Sequence, residues 1–186
     1  MSATKAQFCL KCGAAMTISS GTGRPRPTCG SCGFVMFSNP VGASAALVLR
    51  GDEVLLVKRG IEPFLGFWAV PAGYQEEDES PPVTAERETL EETGVQVEAL
   101  LLLDLLFVPD DPRKPANVAL FACRALSGEA EGADDAQEAA WFSLDDLPEL
   151  IAFDNRELIF DRLAPGGDLR KRLDLLSGNG GLGGVD

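Results

Sequence analysis

The chain has 186 residues, 45% of them hydrophobic, which suits one ordinary domain with a small appendage. Its formal net charge of −13 divides into +5 over residues 1–51, which hold no Asp or Glu, and −18 over the rest; an acidic body of that size repels nucleic-acid phosphate and membrane surfaces. There is no histidine, which removes Ser-His-Asp and Cys-His nucleophiles, His zinc ligands and imidazole bases, so acid–base chemistry must rest on carboxylates, Lys, Tyr or metal-bound water. No apolar run approaches the roughly 20 residues of a membrane-spanning helix, and the opening MSATKAQFC lacks the apolar core of a signal peptide. The expectation is a soluble, cytoplasmic protein with no membrane partner.

Residues 1–38 lack regular periodicity and are rich in Gly, Ser, Thr and Pro. From Pro40 the pattern changes. VGASAALVL (41–49) and EVLLVKR (53–59) read as a β-hairpin. GFWAVPAGY (66–74) reads as a third extended segment. Ser80 followed by Pro81 and Pro82 is a helix start, and Gly94 a stop, so a helix is expected to about Thr93. VEALLLLDLLFV (97–108) reads as one or two buried strands, NVALFACRAL (117–126) as another and EAAWFSL (138–144) as the last. Helices are expected around 155–163 and 168–176, followed by a glycine-rich tail expected to be flexible. Strands interleaved with helices indicate a mixed α/β fold with helices on the sheet faces. The expected division is 1–38, 39–165 and a terminal helix with tail over 166–186.

Cys9, Cys12, Cys29 and Cys32 form C-x2-C-x16-C-x2-C, each pair followed by glycine. Four thiolates at this spacing suit tetrahedral Zn2+ in a closed structural site, a zinc ribbon. Disulfides or a redox pair are the alternatives, disfavoured by the cytoplasmic expectation and by two separate knuckles. Lys11, Arg24 and Arg26 lie nearby, but scattered cations are a weak nucleic-acid patch, and a structural lid or dimer contact is preferred for this segment.

The stretch from Gly73 to Val95 holds eight carboxylates against one cation, Arg87. Glu88, Glu91 and Glu92 stand at i, i+3 and i+4, which puts them on one helix face. Like charges so spaced cost about 0.2–0.5 kcal/mol per pair. Hard carboxylate oxygens would suit Mg2+ or Mn2+, with Arg87 orienting them. A solvated acidic helix is the competing reading, and the helix alone does not decide between the two.

Gly73, five residues, Glu79, seven residues and then Arg87-Glu88-Thr89-Leu90-Glu91-Glu92-Thr93-Gly94-Val95 resembles the Nudix box, G-x5-E-x7-R-E-U-x-E-E-x-G-U with U bulky and aliphatic. The one departure is Thr89 at the first U position, where a local change in packing is expected. With CLKCG and CGSCG ahead of it and EAAWFSLDDLPEL behind, the chain resembles zinc-ribbon Nudix hydrolases over about 8–165. The resemblance implies an α/β/α sandwich with a mixed sheet, preceded by a small N-terminal zinc ribbon. It implies hydrolysis of the diphosphate in a small-molecule nucleoside diphosphate derivative. It further implies two or more Mg2+ or Mn2+ ions held by Glu88, Glu91 and Glu92 with the carbonyl of Gly73. Glu79 and Arg87 would support the box, and Glu92 or Glu138 would be the general base. The later loop also offers Asp134 and Asp135.

The NADH pyrophosphatase motif SQPWPFPxS is absent. The chain is closer to FAD and ADP-ribose pyrophosphatases, with NADH or NAD-capped RNA hydrolysis, or a zinc-ribbon nucleic-acid-binding protein, as alternatives. Nucleic acid is not the expected partner. Arg59, Phe64 and Trp68 are candidate substrate contacts that could equally pack the core. By analogy with the family, a homodimer is expected.

Overall fold

The computed structural model describes residues 7–19, 23–109 and 114–178; the glycine-rich tail lies outside the described residues. The chain forms two compact units, residues 1–40 and 41–186.

The smaller unit is a ribbon. β1 (Met16–Ser19) pairs antiparallel with β2 (Arg26–Cys29), from Met16 opposite Cys29 to Ser19 opposite Arg26. Each C-x-x-C knuckle is a tight turn closed by a glycine amide: Gly13 N–H donates to the Cys9 carbonyl at 2.8 Å and Gly33 N–H to the Cys29 carbonyl at 2.9 Å. Both glycines have φ +73°, a left-handed conformation that a side chain would strain.

The larger unit is built on a seven-stranded mixed sheet: β3 (Val41–Arg50), β4 (Glu53–Arg59), β5 (Trp68–Ala69), β6 (Ala72–Tyr74), β7 (Gln96–Val108), β8 (Ala116–Ser127) and β9 (Ala136–Ser143). The main path runs β5-β4-β3-β8-β7; β6 pairs with β3 and β9 with β4. Among the described strands only β3 and β8 pair in parallel. The expected β3–β4 hairpin is paired only at its base, Leu49 with Val54 and Arg50 with Glu53. Beyond that base the two strands part. β3 takes β6 over Ala43–Ala45, and β4 takes β9 along its length. GFWAVPAGY is therefore two short strands on different partners, broken at Pro71, which has no N–H to give a ladder. The 97–108 run is a single strand, bent by bulges, that begins at Gln96.

The continuous apolar run of β3 reflects burial on both faces. Ala45 and Leu47 enter one core with Leu103, Leu120 and Ile159; Ala46 and Val48 enter the other with Leu55, Ala85, Val95 and Phe121. α1 (Pro81–Thr93) covers the second face. Its start at Ser80 with Pro at the first two positions, and its stop at Gly94 with φ +70°, match the sequence expectation. The first face is covered by the C-terminal segment. A π-helical turn over Arg156–Phe160 runs into α2 (Asp161–Leu163), and α3 (Asp168–Gly178) follows. The division at 165 therefore cuts a single core: Leu169 and Leu173 of α3 are buried with Leu103 and Ile159, so α3 belongs to the larger unit. Among the described residues no helix is long and apolar enough to cross a membrane.

Candidate active site and ribbon centre

α1 meets the sheet through a stripe of small residues. Ala85, Thr89 and Thr93 are buried, as is Thr84. Thr89 replaces an aliphatic side chain without orphaning its hydroxyl, which donates to the Ala85 carbonyl at 2.7 Å. Thr93 donates to the Thr89 carbonyl and accepts from the Val95 amide, so helix and following strand share one bonded chain.

The glutamates of the stretch separate by environment. Glu79 accepts a two-point fork from Arg87, Nε to Oε1 at 2.5 Å and Nη2 to Oε2 at 2.9 Å, and a further bond from Thr84 Oγ1. The Arg87 guanidinium holds its carboxyl down to about 2. Arg87 Nη1 also donates to Glu88 Oε1 and Glu91 Oε2, both at 2.8 Å, and Nη2 to the Tyr74 carbonyl at 3.1 Å. One planar fork thus joins the loop, the helix face and β6.

Glu92 is buried, 4% exposed, and its Oε2 accepts the Ala72 amide at 3.0 Å. Burial pushes its carboxyl well above the usual range, and the nearby Asp135 pushes in the same direction. Glu88 is also raised, chiefly by burial, with Arg87 opposing. A Cβ placed on Gly73 would fall among the carboxyl atoms of Glu88, so glycine is what lets that carboxylate lie against β6. Buried like charges of this kind fit hard divalent cations. The three α1 carboxylates do not converge on one point: Arg87 draws Glu88 and Glu91 together, while Glu92 turns to Ala72.

Glu92 and Gly73 stand on the wall of a cavity of about 100 Å³ in the opening between β3 and β4, with Ala43, Ala45, Val57 and Val70 among its lining. Arg59 also lines it; its Nε donates to the Pro63 carbonyl at 2.7 Å, and its guanidinium lies 4.7 Å over the Phe153 ring. Phe64 touches the cavity only through Phe153, edge-on at 4.9 Å. Trp68 is absent from the wall. It packs edge-on to Phe142 at 4.7 Å and against the core, because β5 registers it opposite Lys58.

Glu138 is also off the wall. β9 places it opposite Lys58, whose Nζ it binds at 2.9 Å on the exposed surface. The acidic group of that loop that meets Glu88 and Glu92 is Asp135. The loop is drawn in by backbone bonds, Glu131 N–H to the Thr93 carbonyl, Ala133 N–H to the Glu92 carbonyl and Gly60 N–H to the Asp135 carbonyl. Phe153 and Asn155 escaped the sequence reading. Phe153 and Asp154 both have left-handed φ, 55° and 54°. Asn155 Oδ1 accepts the buried Val70 amide at 3.2 Å, which pins the turn to the cavity floor. The pair Asp154-Asn155, residue types that favour turns, is the local signal in the sequence.

In the ribbon, the ligand atoms of Cys9, Cys12, Cys29 and Cys32 all lie within 4.8 Å of one another, with Cys9 and Cys32 sulfurs 3.6 Å apart and Cys12 and Cys29 sulfurs 3.5 Å apart. All four are free thiols. Sulfurs about 2.3 Å from a tetrahedral zinc stand about 3.8 Å from each other, so the cluster is compatible with a zinc ribbon.

Comparison with known proteins agrees with this geometry. The NUDIX domain model matches residues 39–161. An ADP-ribose pyrophosphatase of Methanocaldococcus jannaschii is 35% identical over 129 residues, covering 69% of this chain and 76% of that protein. The NAD-capped RNA hydrolase NudC of Pseudomonas aeruginosa is 33% identical over 147 residues, 78% of this chain; the chain spans 51% of that relative's length. Among solved structures, a NUDIX hydrolase from Nitrosomonas europaea superposes with a TM-score of 0.75 at 29% identity, covering 90% of this chain and 93% of that one. The chain belongs to the Nudix hydrolases, a family of pyrophosphohydrolases.

Proposed function

We propose that the protein hydrolyses the diphosphate linkage of a nucleoside diphosphate derivative, with ADP-ribose and FAD the favoured substrates. The observation that carries this is Glu92: a buried carboxylate on a cavity wall, beside Gly73, Glu88 and Asp135. Glu88, Glu91, Glu92 and the Gly73 carbonyl would hold Mg2+ or Mn2+, two or more ions. Bound there, the metal supplies positive charge to the diphosphate and lowers the pKa of an attacking water. Arg87 and Glu79 hold the glutamates in place through the fork already described. Glu92 is the proton acceptor on this reading, standing on the cavity wall with its Oε2 oriented by the Ala72 amide. Asp135, not Glu138, is the later carboxylate of the site. Arg59 and Phe153 offer a cation and a ring face to the nucleoside end.

The NudC relative supports a second reading, hydrolysis of NAD-capped RNA. Free thiols throughout accord with a cytoplasmic setting and a structural Zn2+ in the ribbon. Exposed Leu102, Leu105 and Phe107 on β7, at the end of the sheet's main path, support a homodimer.

The test is turnover of FAD, ADP-ribose, NADH, CoA, diadenosine polyphosphates and NAD-capped RNA with Mg2+ and with Mn2+. Cleavage of ADP-ribose or FAD ahead of the rest, lost in Glu92→Gln, is expected. Cleavage of capped RNA alone would select the second reading, and no cleavage by folded, metal-bound protein would refute both.

A further inference from the structure

The ribbon leaves large apolar side chains in solvent: Phe8 is 64% exposed, Leu10 80%, Ile18 62% and Phe37 58%. A unit of 40 residues with a two-stranded sheet has little core to hide them in, but the pairing with charge is specific. The Arg26 guanidinium lies 4.3 Å over the Phe37 ring. Arg24 is exposed two residues before it, and the register sets Ile18 and Ser19 across from Pro27 and Arg26, at the strand ends farther from Cys29. At the other end, Phe8, Leu10 and Lys11 surround the first knuckle. No Asp or Glu occurs in residues 1–40 to compete for these cations. A zinc–tetrathiolate centre carries two negative charges, and the unit would remain positive with it.

Exposed ring faces beside cations that no local carboxylate neutralises are what a strand of unstacked bases requires. The rings take base faces, the guanidinium extends the stack, and the cations follow the phosphates. A duplex hides its base faces and cannot use the rings. The chain's other 146 residues carry 12 Lys and Arg against 29 Asp and Glu, a net charge that repels phosphate. We propose that the ribbon is a binding site for single-stranded RNA, centred on Arg26 and Phe37 with Arg24, Lys11 and Phe8 contributing. The proposal is independent of which diphosphate the larger unit cleaves.

The test uses the full zinc-bearing chain and a fluorescent 12-nucleotide single-stranded RNA, read by anisotropy without added Mg2+ or Mn2+. Binding in the range of about 1–100 µM at 50 mM salt is expected. Two phosphate-contacting cations, Arg24 and Lys11, give a log–log salt slope of about −1.4, so 200 mM salt should weaken binding about 7-fold. Phe37→Ala should weaken it about tenfold or more, and Arg24→Gln should flatten the salt slope. Phe8→Ala is a second probe should Phe37→Ala lose zinc, which metal analysis reports. The proposal is overturned by absence of binding to 100 µM, by equal binding of duplex RNA, or by unchanged binding in folded Phe37→Ala and Phe8→Ala. It is also overturned if these substitutions instead dissolve a protein dimer in sedimentation and leave RNA binding untouched.

Discussion

Replacing Gly73 by alanine tests the site with one carbon atom. Gly73 does not have a left-handed φ, so alanine is conformationally allowed there. The added Cβ would nonetheless fall among the carboxyl atoms of Glu88, far inside the 3.4–4 Å of ordinary contact, and that group would have to retreat by more than about 1 Å. It cannot do so freely, because Glu88 Oε1 is tied to Arg87 at 2.8 Å, and Arg87 is tied to Glu79 and Glu91. The side-chain end can swing at little cost in stability, but the carboxylate array cannot keep its arrangement. A displacement of about 1 Å in a reacting constellation costs on the order of 100-fold in rate. Gly73→Ala should therefore lower kcat by about that factor, weaken metal activation, and shift Tm by only a few degrees. Turnover against ADP-ribose over a Mg2+ titration, beside a thermal melt, measures both. A variant that keeps a third or more of its kcat would refute the placement of Glu88 in the working site.

Asp135→Asn should reduce kcat at least tenfold while Glu138→Gln leaves it within about twofold, as a surface ion pair with Lys58 predicts; kcat for both variants checks this, and the opposite order would restore Glu138. Removal of zinc by a thiol-selective chelator should open the ribbon to protease within residues 7–40 while the larger unit still melts cooperatively, since a ribbon this small folds on its metal; mass analysis of the fragments decides it. The Arg162 guanidinium holds the Asp168 carboxyl down to about 2 and bridges it to Asp104. A lowered folded-state pKa means stabilisation that is complete above the unfolded value of about 3.9 and lost as pH falls through about 2. The Tm difference between the protein and Asp168→Asn should thus hold at pH 7, shrink between about pH 4 and 2 and be lost below that; a difference undiminished at pH 2 would contradict it.

What was legible in the sequence was whatever carried its own punctuation. Ser80, the two prolines and Gly94 bound α1, and the cysteine spacing brought four sulfurs together, because both are local rules of the backbone. The parting of β3 from β4 was not legible. Two apolar runs across a short turn read as a full hairpin, and only the competition of β6 and β9 for their edges shows that they separate. The same long-range registers decided the side chains. Glu138 has the sequence placement of a family acid, yet its strand aligns it with Lys58, while Asp135, one residue past a left-handed Asp134, lies in the loop that reaches α1. Trp68 went to the core by the pairing of a two-residue strand. The helix expected at 155–163 begins as a π-turn, which no 3.6-residue period announces.

The density of carboxylates around Gly73–Val95 also acquires a division of labour. Glu79 is held ionised by Arg87, and Glu92 is driven toward its protonated form by burial and by Asp135. Two carboxyls on one short stretch with affinities displaced in opposite directions do different work. The first is a structural anchor, whose charge is cancelled by a fork that also grips Tyr74, Glu88 and Glu91. The second keeps its cost unrelieved within the chain, since its one backbone donor, the Ala72 amide, does not offset its burial among like charges. Protonation relieves that cost in the metal-free chain, and a cation arriving from solvent would relieve it with the carboxyl ionised. This is why the arrangement fits a metal-dependent hydrolase better than a solvated acidic helix, whose carboxylates would face water with ordinary affinities.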